Sequence, residues 1–559
     1  MFGALARNQD SIEFIQARHE EMAAFMACGY AKFTGQPGVC ISTGGPGAIH
    51  LLNGLYDAKA DHQPVVAILG QQARSALGGS YQQEVDLAAL FKDVAGEYVQ
   101  MIITPTQTRH VVDRAFRIAM AERCPTCVIV PSDVQTLEMR EPPREHFTLH
   151  SGLGYSRPRI VPEDADLQRA AAVLNAGERV AILVGAGAMG AREEVLQIAN
   201  LLGAGIAKAL LGKDVLPDDI PHVTGSIGLL GTAPTHDMMT GCDTLLMIGS
   251  GFPYAEFLPE EGQARGVQID IDGRMLGIRY PMEVNLQGDS AATLRALMPL
   301  LEDKRATSRD WRERIEGNVR KWWETLEHRA MLDAEPLNPQ RVFHDLSPRL
   351  PRDALIATDT GTSVFWFARH VRMAPGMRAV HSGNLASMGA AMPYAIAGKF
   401  AHPDRPMFVM LGDGAMQMNG LNELITVAKY WRRWRNPVFV VLVLNNRDLN
   451  FVTWEQRIMQ GDPKFPASQD LPDFSYAAYA EMLGIKGLVV DKPDAVGSAW
   501  ESALDSDRPV LVEAIVDPNV PMLPPHITFE QARHYLAAIM KGDPDAARIL
   551  KSSLKEIFA

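Results

Sequence analysis

Ten runs of almost uniformly apolar residues punctuate the chain: VCIST (39–43), VVAILG (65–70), TCVIVP (126–131), VAILVG (180–185), TLLMIG (244–249), GVQIDI (266–271), ALIAT (354–358), MFVMLG (407–412), VFVVLVL (438–444) and VLVEAIV (510–516). A strand with one wet face alternates apolar and polar residues. Runs without that alternation suit parallel strands covered on both faces. Helical stretches lie between them, so the order predicts α/β units with doubly wound sheets.

The units fall into three blocks, predicted at 1–140, 158–302 and 336–518, with a C-terminal helical tail at 519–559. The Pro-rich stretch REPPREHFTLH (140–150) reads as a linker, and the charged, Trp-bearing residues 302–335 as a helix with a connecting segment. The 559 residues are enough for several cores. The net charge of −12 excludes a general nucleic-acid binder. No stretch reaches the ~18 apolar residues of a membrane span. Five cysteines, an odd and sparse count, argue against a disulfide framework and for a cytoplasmic setting. Cys124 and Cys127 form a CxxC, but Cys127 begins an apolar run and no second pair or histidine cluster accompanies it, so burial is the expected role.

The strongest chemical signal lies in the third block. MFVMLGDGAMQMNG is a strand, then Gly412-Asp413-Gly414, then a helix. Residues 415–444 form a helix-length return to a second strand that ends in Asn445-Asn446. A right-handed crossover of this length puts both polar ends at the carboxyl edge of a parallel sheet, where ligands bind. Asp413, Asn446 and a nearby backbone carbonyl offer the oxygen ligands a hard cation needs, and Gly412 and Gly414 let a phosphate approach a helix N-terminus. A GDG alone would be an ordinary turn; with the spacer and the NN pair it is specific.

This pattern resembles the thiamine-diphosphate (ThDP) enzymes, the family of pyruvate oxidase and acetolactate synthase, and the likeness extends over essentially the whole chain. It implies a three-domain fold with pyrimidine, central and diphosphate domains. It implies Mg2+ ligation by Asp413, Asn446 and the Asp448 carbonyl. Thr360, Gly361 and Thr362 resemble the first diphosphate turn. Leu385, Ala386, Ser387 and Met388 resemble the loop whose bulky residue, here Met388, bends ThDP. In the first block EFIQARHEEMAAFMACGYAKFTG matches the pyrimidine domain and makes Glu20 the activating carboxylate, with Glu21 the competing assignment. Gly45, Pro46 and Gly47 of GGPG, with Asn53 beyond them, would lie beside the pyrimidine ring. Met1 falls about thirty residues inside the family pattern, so the first strand of this domain is expected to be absent, leaving an open sheet edge.

In the middle block GAGAMG is a G-x-G-x-x-G, which is weak alone. The next strand, AGIAKALLG, lacks the acidic end an NAD site needs, which excludes NAD. The resemblance implies FAD instead, with contacts at Gly185, Gly187, Thr224, Gly225, Ser226, Ile227, Ser250, Gly251, Phe252, Pro253, Tyr254 and Asp270. Phe451 and Glu455 match the oxidases' substrate pocket. Across it, Gln83 matches the family glutamine, and Gln82 replaces a usual phenylalanine. His19, His50 and His381 are further acid–base candidates, though a lone histidine is more often structural.

The function implied is decarboxylation of a 2-oxo acid, most simply pyruvate, with oxidation by FAD to acetate or acetyl phosphate. A carboligase of the acetolactate synthase kind and an inactive binding or regulatory homologue are the alternatives. Because Glu20 and the GDG lie on separate domains, the resemblance implies a homodimer or homotetramer. The tail reads as two helices broken at Gly542-Asp543-Pro544, with Ile549, Leu550, Leu554, Ile557 and Phe558 expected on one face. Such a face either packs on the protein or lies on the inner membrane surface near a quinone, as in the quinone-linked oxidases. Its shortness and lack of Trp favour packing.

Overall fold

The computed structural model describes residues 1–139, 143–152 and 154–558. The first three residues of the linker, 140–142, lie outside the described residues, and the rest of that segment carries no regular element.

Three parallel sheets organise the chain. The first holds β1 (Gly38–Ser42), β2 (Val65–Gln71), β3 (Val99–Met101) and β4 (Pro125–Pro131) in the order β1-β2-β4-β3. The second holds β5 (Val180–Val184), β6 (Gly205–Lys208), β7 (Val223–Ser226), β8 (Thr244–Ile248), β9 (Arg265–Asp270) and β10 (Val284–Gln287) in the order β10-β9-β8-β5-β6-β7. The third holds β11 (Leu355–Thr358), β12 (Arg378–Val380), β13 (Met407–Gly412), β14 (Phe439–Asn445), β15 (Lys486–Val490) and β16 (Val510–Ile515) in the order β12-β11-β13-β14-β16-β15. All ten apolar runs are strands. Every residue of β5, β8 and β14 is buried, as helices on both faces require.

In the third sheet the winding reverses between β11 and β13. Their carboxyl ends carry the turns that start at Asp359 and at Asp413, so these turns share one crevice. In the second sheet it reverses between β5 and β8, which end in Gly185 and in Gly249-Ser250.

The first and third domains share a core. The helix Glu20–Thr34 packs on the helix Ala391–Ala401, and a Cβ at Gly29 would stand 2.7 Å from the Tyr394 Cα, so only glycine permits this approach. Glu423 is buried at the same junction, where one oxygen accepts the Arg18 N–H at 3.2 Å. Burial pushes its carboxyl up to about 7. The native state therefore keeps a proton that the unfolded chain releases above its ordinary value of 4.5. Stability falls as pH rises through that window, and the loss is complete above about pH 7. Glu423→Gln should thus be the more stable protein above pH 7, by up to about 3 kcal/mol, and no better below pH 4.5. Melting curves of the two proteins that run parallel from pH 4 to pH 8 would contradict this.

Candidate cofactor and substrate site

Asp413 opens the helical turn after β13 and is 2 % exposed. Its Oδ1 accepts the Gly414 N–H at 2.8 Å, and its Oδ2 accepts those of Asn446 at 2.9 Å and Arg447 at 2.6 Å. Three donors thus aim the carboxylate, yet burial, with Asp448 adding repulsion, lifts it to about 7. Among the described residues Asp413 forms no ion pair. The two asparagines divide the work. Asn445 turns inward to Glu513 at 2.8 Å, while Asn446 stays partly exposed at the crevice with Asp413 and the Asp448 backbone. Arg447 between them takes the left-handed conformation, φ 56°. Asp448 spends its side chain on Asn450, Thr453 and Lys464, which leaves its backbone for any ligand.

Across the crevice, Asp359 is fully buried and holds the N–H groups of Gly389 at 2.8 Å and Ala391 at 2.9 Å; burial raises its carboxyl to about 6. Thr360 donates to the Ser387 carbonyl at 3.1 Å. Gly361, at φ 124°, and Gly412 both face open space where a Cβ would stand. The loop Leu385–Met388 brings Met388 to the same place: its sulfur is 3.8 Å from the Cβ position of Gly414. Ala386 in this loop joins Arg447 in the left-handed region, at φ 53°, and Gln83 of the first domain is there too, at 62°. Strain of this kind is held only where surroundings over-determine it.

The candidates of the first domain gather elsewhere. Glu20 begins its helix, 37 % exposed, and binds the His50 ring at 3.1 Å; the His19 ring lies tilted against His50, centroids 4.4 Å apart. Burial pulls the Glu20 carboxyl upward, but His50, the helix N–H and His19 outweigh it and hold it below the ordinary value. The GGPG turn spans this cluster. A Cβ at Gly47 would lie 3.2 Å from Glu20 Oε1, and one at Gly45 would lie 2.8 Å from the Gln83 Cβ. Gln82 and Gln83 are exposed beside it, and Pro46 opens the short helix Pro46–His50. Glu21 is committed to Asn53, whose amide donates to it at 2.6 Å and to Ser387 at 3.0 Å. Asn53 therefore joins two domains through its amide. His381 is fully buried, and burial lowers its imidazole to about 4.

A cavity of about 2030 Å³ connects the third domain to the middle one. Thr360, Gly361, Thr362, Met388, Gly412, Asp413, Gly414 and Asp448 line one end, and Gly185, Gly187, Ile227, the run Ser250–Tyr254 and Asp270 the other. Glu20, Gln82, Gln83 and GGPG are not among its walls. Gly185 and Gly187 line the middle-domain end of the cavity, and their Cβ positions fall 2.4 Å from the Gly249 carbonyl and 2.7 Å from the Gly249 Cα, so the β5 and β8 loops also touch through them. Thr224, Gly225 and Ser226 are buried within β7, and the Thr224 hydroxyl goes to the Ile206 carbonyl at 3.1 Å and to Thr235 at 2.7 Å, so only Ile227 of that segment reaches the cavity. Phe252 is buried against Tyr254 in an edge contact at 5.6 Å. Asp270, raised by burial, accepts the Asp272 N–H at 2.9 Å.

Phe451 and Glu455 lie on the helix Asn450–Glu455 at the cavity's third-domain end, and partial burial lifts the Glu455 carboxyl. The tail anchors this segment. Arg457 and Asp543 form a fully buried two-point pair at 2.8 and 2.9 Å. The tail helices, Phe529–Met540 and Ala546–Phe558, break at Gly542–Pro544 as expected. Their apolar pattern does not fall as expected. Ile549 is buried with Ser553 and Glu556, while Leu550, Leu554 and Ile557 are 41, 48 and 60 % exposed. The helix turns a mixed face inward because Glu556 meets Arg329 and Gln340 there.

Residues that motif reasoning passed over include Lys32, Asp57 and Asp61, buried between the first and third domains. Their signal was present in LLNGLYDAKAD, where Asn53, Asp57 and Asp61 recur every fourth residue.

Comparison with known proteins agrees with this geometry. The N-terminal TPP binding domain of thiamine pyrophosphate enzymes matches residues 1–90, the central domain of those enzymes matches 167–297, and their C-terminal TPP binding domain matches 359–514. YdaP of Bacillus subtilis (strain 168), named as a thiamine pyrophosphate-containing protein, is 35% identical over 558 residues, covering 99% of this chain and 94% of its own. The pyruvate oxidase of Lactiplantibacillus plantarum is 29% identical over 523 residues, 93% of this chain and 84% of its own. Acetolactate synthase isozyme 2 large subunit of Escherichia coli (strain K12) is 30% identical over 530 residues, 92% and 91%. With all three domains matched in order, this chain belongs to the thiamine pyrophosphate enzymes of the pyruvate oxidase and acetolactate synthase group, which act on 2-oxo acids by decarboxylation.

Proposed function

We propose that the enzyme decarboxylates pyruvate, passes two electrons to FAD, and transfers the acetyl group to water, giving acetate, or to phosphate, giving acetyl phosphate. The observation that carries this reading is the single cavity, in which the crevice at Gly361 and Asp413 opens onto Ser250–Tyr254 and Asp270. Two cofactors held at its ends would meet inside it. The residues fit both. A buried carboxylate with no ion pair among the described residues, flanked by an asparagine amide, suits Mg2+, and the open space at Gly361 and Gly412 suits a diphosphate. The cavity's volume exceeds that of a flavin dinucleotide, and Arg157, Arg159 and Arg274 on its wall suit the charge of one.

ThDP, when bound, would supply a nucleophilic carbon for the keto group and a sink for the electron pair left by CO2. The protein does the rest. Domain 336–518 orients the diphosphate through Asp413, Asn446 and the Asp448 backbone. Domain 158–302 holds the flavin. Domain 1–140 supplies Glu20, with Gly45–Gly47 and Gln83 around it. Since Glu20 does not line the chain's own cavity, a second copy would bring it there, in a dimer or a dimer of dimers. Phe451 and Glu455 would then meet Gln82 and Gln83 of the partner copy across the substrate.

Anaerobic mixing of the cofactor-loaded enzyme with pyruvate tests this. The flavin absorbance should bleach, and acetate or acetyl phosphate should form. An unbleached flavin with acetolactate as product would favour the carboligase, which relatives named acetolactate synthase keep in play. The tail bears on the final electron acceptor. No described helix is long and apolar enough to cross a membrane. The exposed Leu550, Leu554 and Ile557, beside Arg548 and Lys551, nevertheless form a ridge that suits an anionic surface and a quinone. Pyruvate with ThDP should then strengthen flotation with anionic vesicles, and removal of residues 546–559 should abolish it. Equal flotation with and without pyruvate leaves packing as the tail's role.

A further inference from the structure

The helix Leu52–Ala60 and its cap Asp61 carry Asn53, Asp57 and Asp61 on one face, four residues apart. All three reach the same segment of the third domain. Asn53 donates to Ser387 Oγ at 3.0 Å. Asp57 accepts the Ser382 hydroxyl at 2.6 Å, and Ser382 Oγ in turn accepts the Ser387 N–H at 2.8 Å. Asp61 takes the N–H groups of Gly383 at 2.9 Å and Asn384 at 2.8 Å, and the Asn384 amide at 3.1 Å. Lys32 closes the ladder from behind, on Asp61 at 2.8 Å, Asp57 at 3.5 Å, Tyr394 at 3.0 Å and the His381 carbonyl at 2.6 Å. Tyr394 also binds Asp57, as does the Cys28 thiol at 3.2 Å.

Lys32, Asp57 and Asp61 are all buried. Burying three charges is costly, and well-packed apolar side chains often hold a junction as firmly. What the charges add is direction. Each fixes a particular atom of residues 381–387. That segment also rests on the middle domain, since a Cβ at Gly383 would meet Leu211 at 2.5 Å. From it the bonds continue to the cofactor crevice: the Ser387 carbonyl holds Thr360, and Met388 borders Gly414.

We propose that Asn53, Asp57 and Asp61, braced by Lys32, are positioning residues for ThDP: the first domain of a chain sets the cofactor loop of its own third domain, Ser387 and Met388 included, in the shape that binds ThDP. Asn53 thereby acts through Ser387. The role rests on membership in the ThDP family and is independent of whether flavin takes the electrons.

Ser382→Ala is the test, because it removes one hydroxyl and no charge, and cuts the path from Asp57 to Ser387. Thr126→Val is the control, losing a buried hydroxyl that donates to the Ala115 carbonyl at 3.1 Å within the first domain. With Mg2+ saturating, calorimetry on the full-length protein should show ThDP binding about tenfold weaker in Ser382→Ala. The half-saturating ThDP concentration should rise by a similar factor while kcat at saturating ThDP changes little. The ThDP-free protein should lose no more melting temperature than Thr126→Val does. Thr126→Val should lose melting temperature and keep its ThDP affinity. Asp61→Asn, if it folds, should lose more affinity than Ser382→Ala. Parental ThDP affinity in Ser382→Ala overturns the proposal, as does an affinity loss that merely tracks lost melting temperature in both variants. A parent protein that binds no ThDP would overturn the cofactor reading itself, and the proposal with it.

Discussion

Asp413→Ala is expected to weaken Mg2+–ThDP binding on the order of a thousandfold, about 4 kcal/mol, and to leave no turnover at ordinary cofactor concentrations. The substitution removes a carboxylate that forms no ion pair among the described residues. It also strips acceptors from the N–H groups of Gly414, Asn446 and Arg447. A hard cation loses its charged oxygen, and the diphosphate loses the cation. The fold should hold, because burial disfavours the ionised carboxylate when no cation is bound and raises it to about 7. Asp448→Asn provides the contrast. Its side chain serves Asn450, Thr453 and Lys464, and its backbone faces the crevice, so affinity should fall far less. Calorimetry measures both. Unchanged ThDP affinity in Asp413→Ala would remove the metal from this turn.

What the chain disclosed in advance follows from burial. All ten apolar runs are strands, and AGIAKALLG contains an eleventh, β6. The five strands not foreseen are β3, β7, β10, β12 and β15, and each is an edge strand of its sheet. An edge strand is short or wet on one side: β10 alternates buried and exposed residues, and β15 buries only Val490. Such strands lack a continuous apolar run. β1 is the one edge that was legible, through VCIST, even though Val39 is exposed there.

The site shows a similar division. GDG and NN could be placed because a turn at the carboxyl end of a parallel strand has a fixed position in the sheet. Spacing alone did not show that Gly185 and Gly187 also admit the Gly249 loop, since a glycine that admits another loop looks the same in sequence as one that admits a ligand. The tail's facing also escaped, because the apolar spacing of Leu550, Leu554 and Ile557 was outweighed by Glu556, whose partners Arg329 and Gln340 stand more than two hundred residues away. The four-residue spacing of Asn53, Asp57 and Asp61 is visible in the sequence, but what they hold is not, because their partners lie in residues 381–394.

Glu20→Gln should bind ThDP within a few-fold of the parent and slow exchange of its C2 proton by on the order of 10²- to 10⁴-fold, the usual worth of a positioned acid–base group. Two adjacent carboxylates compete for the role, and their surroundings separate them. Glu21 is 15 % exposed and engaged by the Asn53 amide at 2.6 Å, within a contact that ties two domains. Glu20 has a partly exposed carboxylate facing the GGPG turn, with the imidazoles of His50 and His19 beside it. His50, the helix N–H and His19 hold Glu20 below the ordinary glutamate value, so it is ionised at neutral pH in the cofactor-free protein. An aminopyrimidine ring laid over it would remove water from that carboxylate and favour sharing a proton with the ring. Glutamine keeps the size and the hydrogen-bonding reach but cannot take or give that proton. Binding therefore survives and activation does not. Glu21→Gln should do the reverse, loosening the Asn53 contact and weakening ThDP binding, with exchange near the parental rate once ThDP saturates. Exchange followed by NMR decides between them: a parental rate in Glu20→Gln, with a slow one in Glu21→Gln, would transfer the role to Glu21.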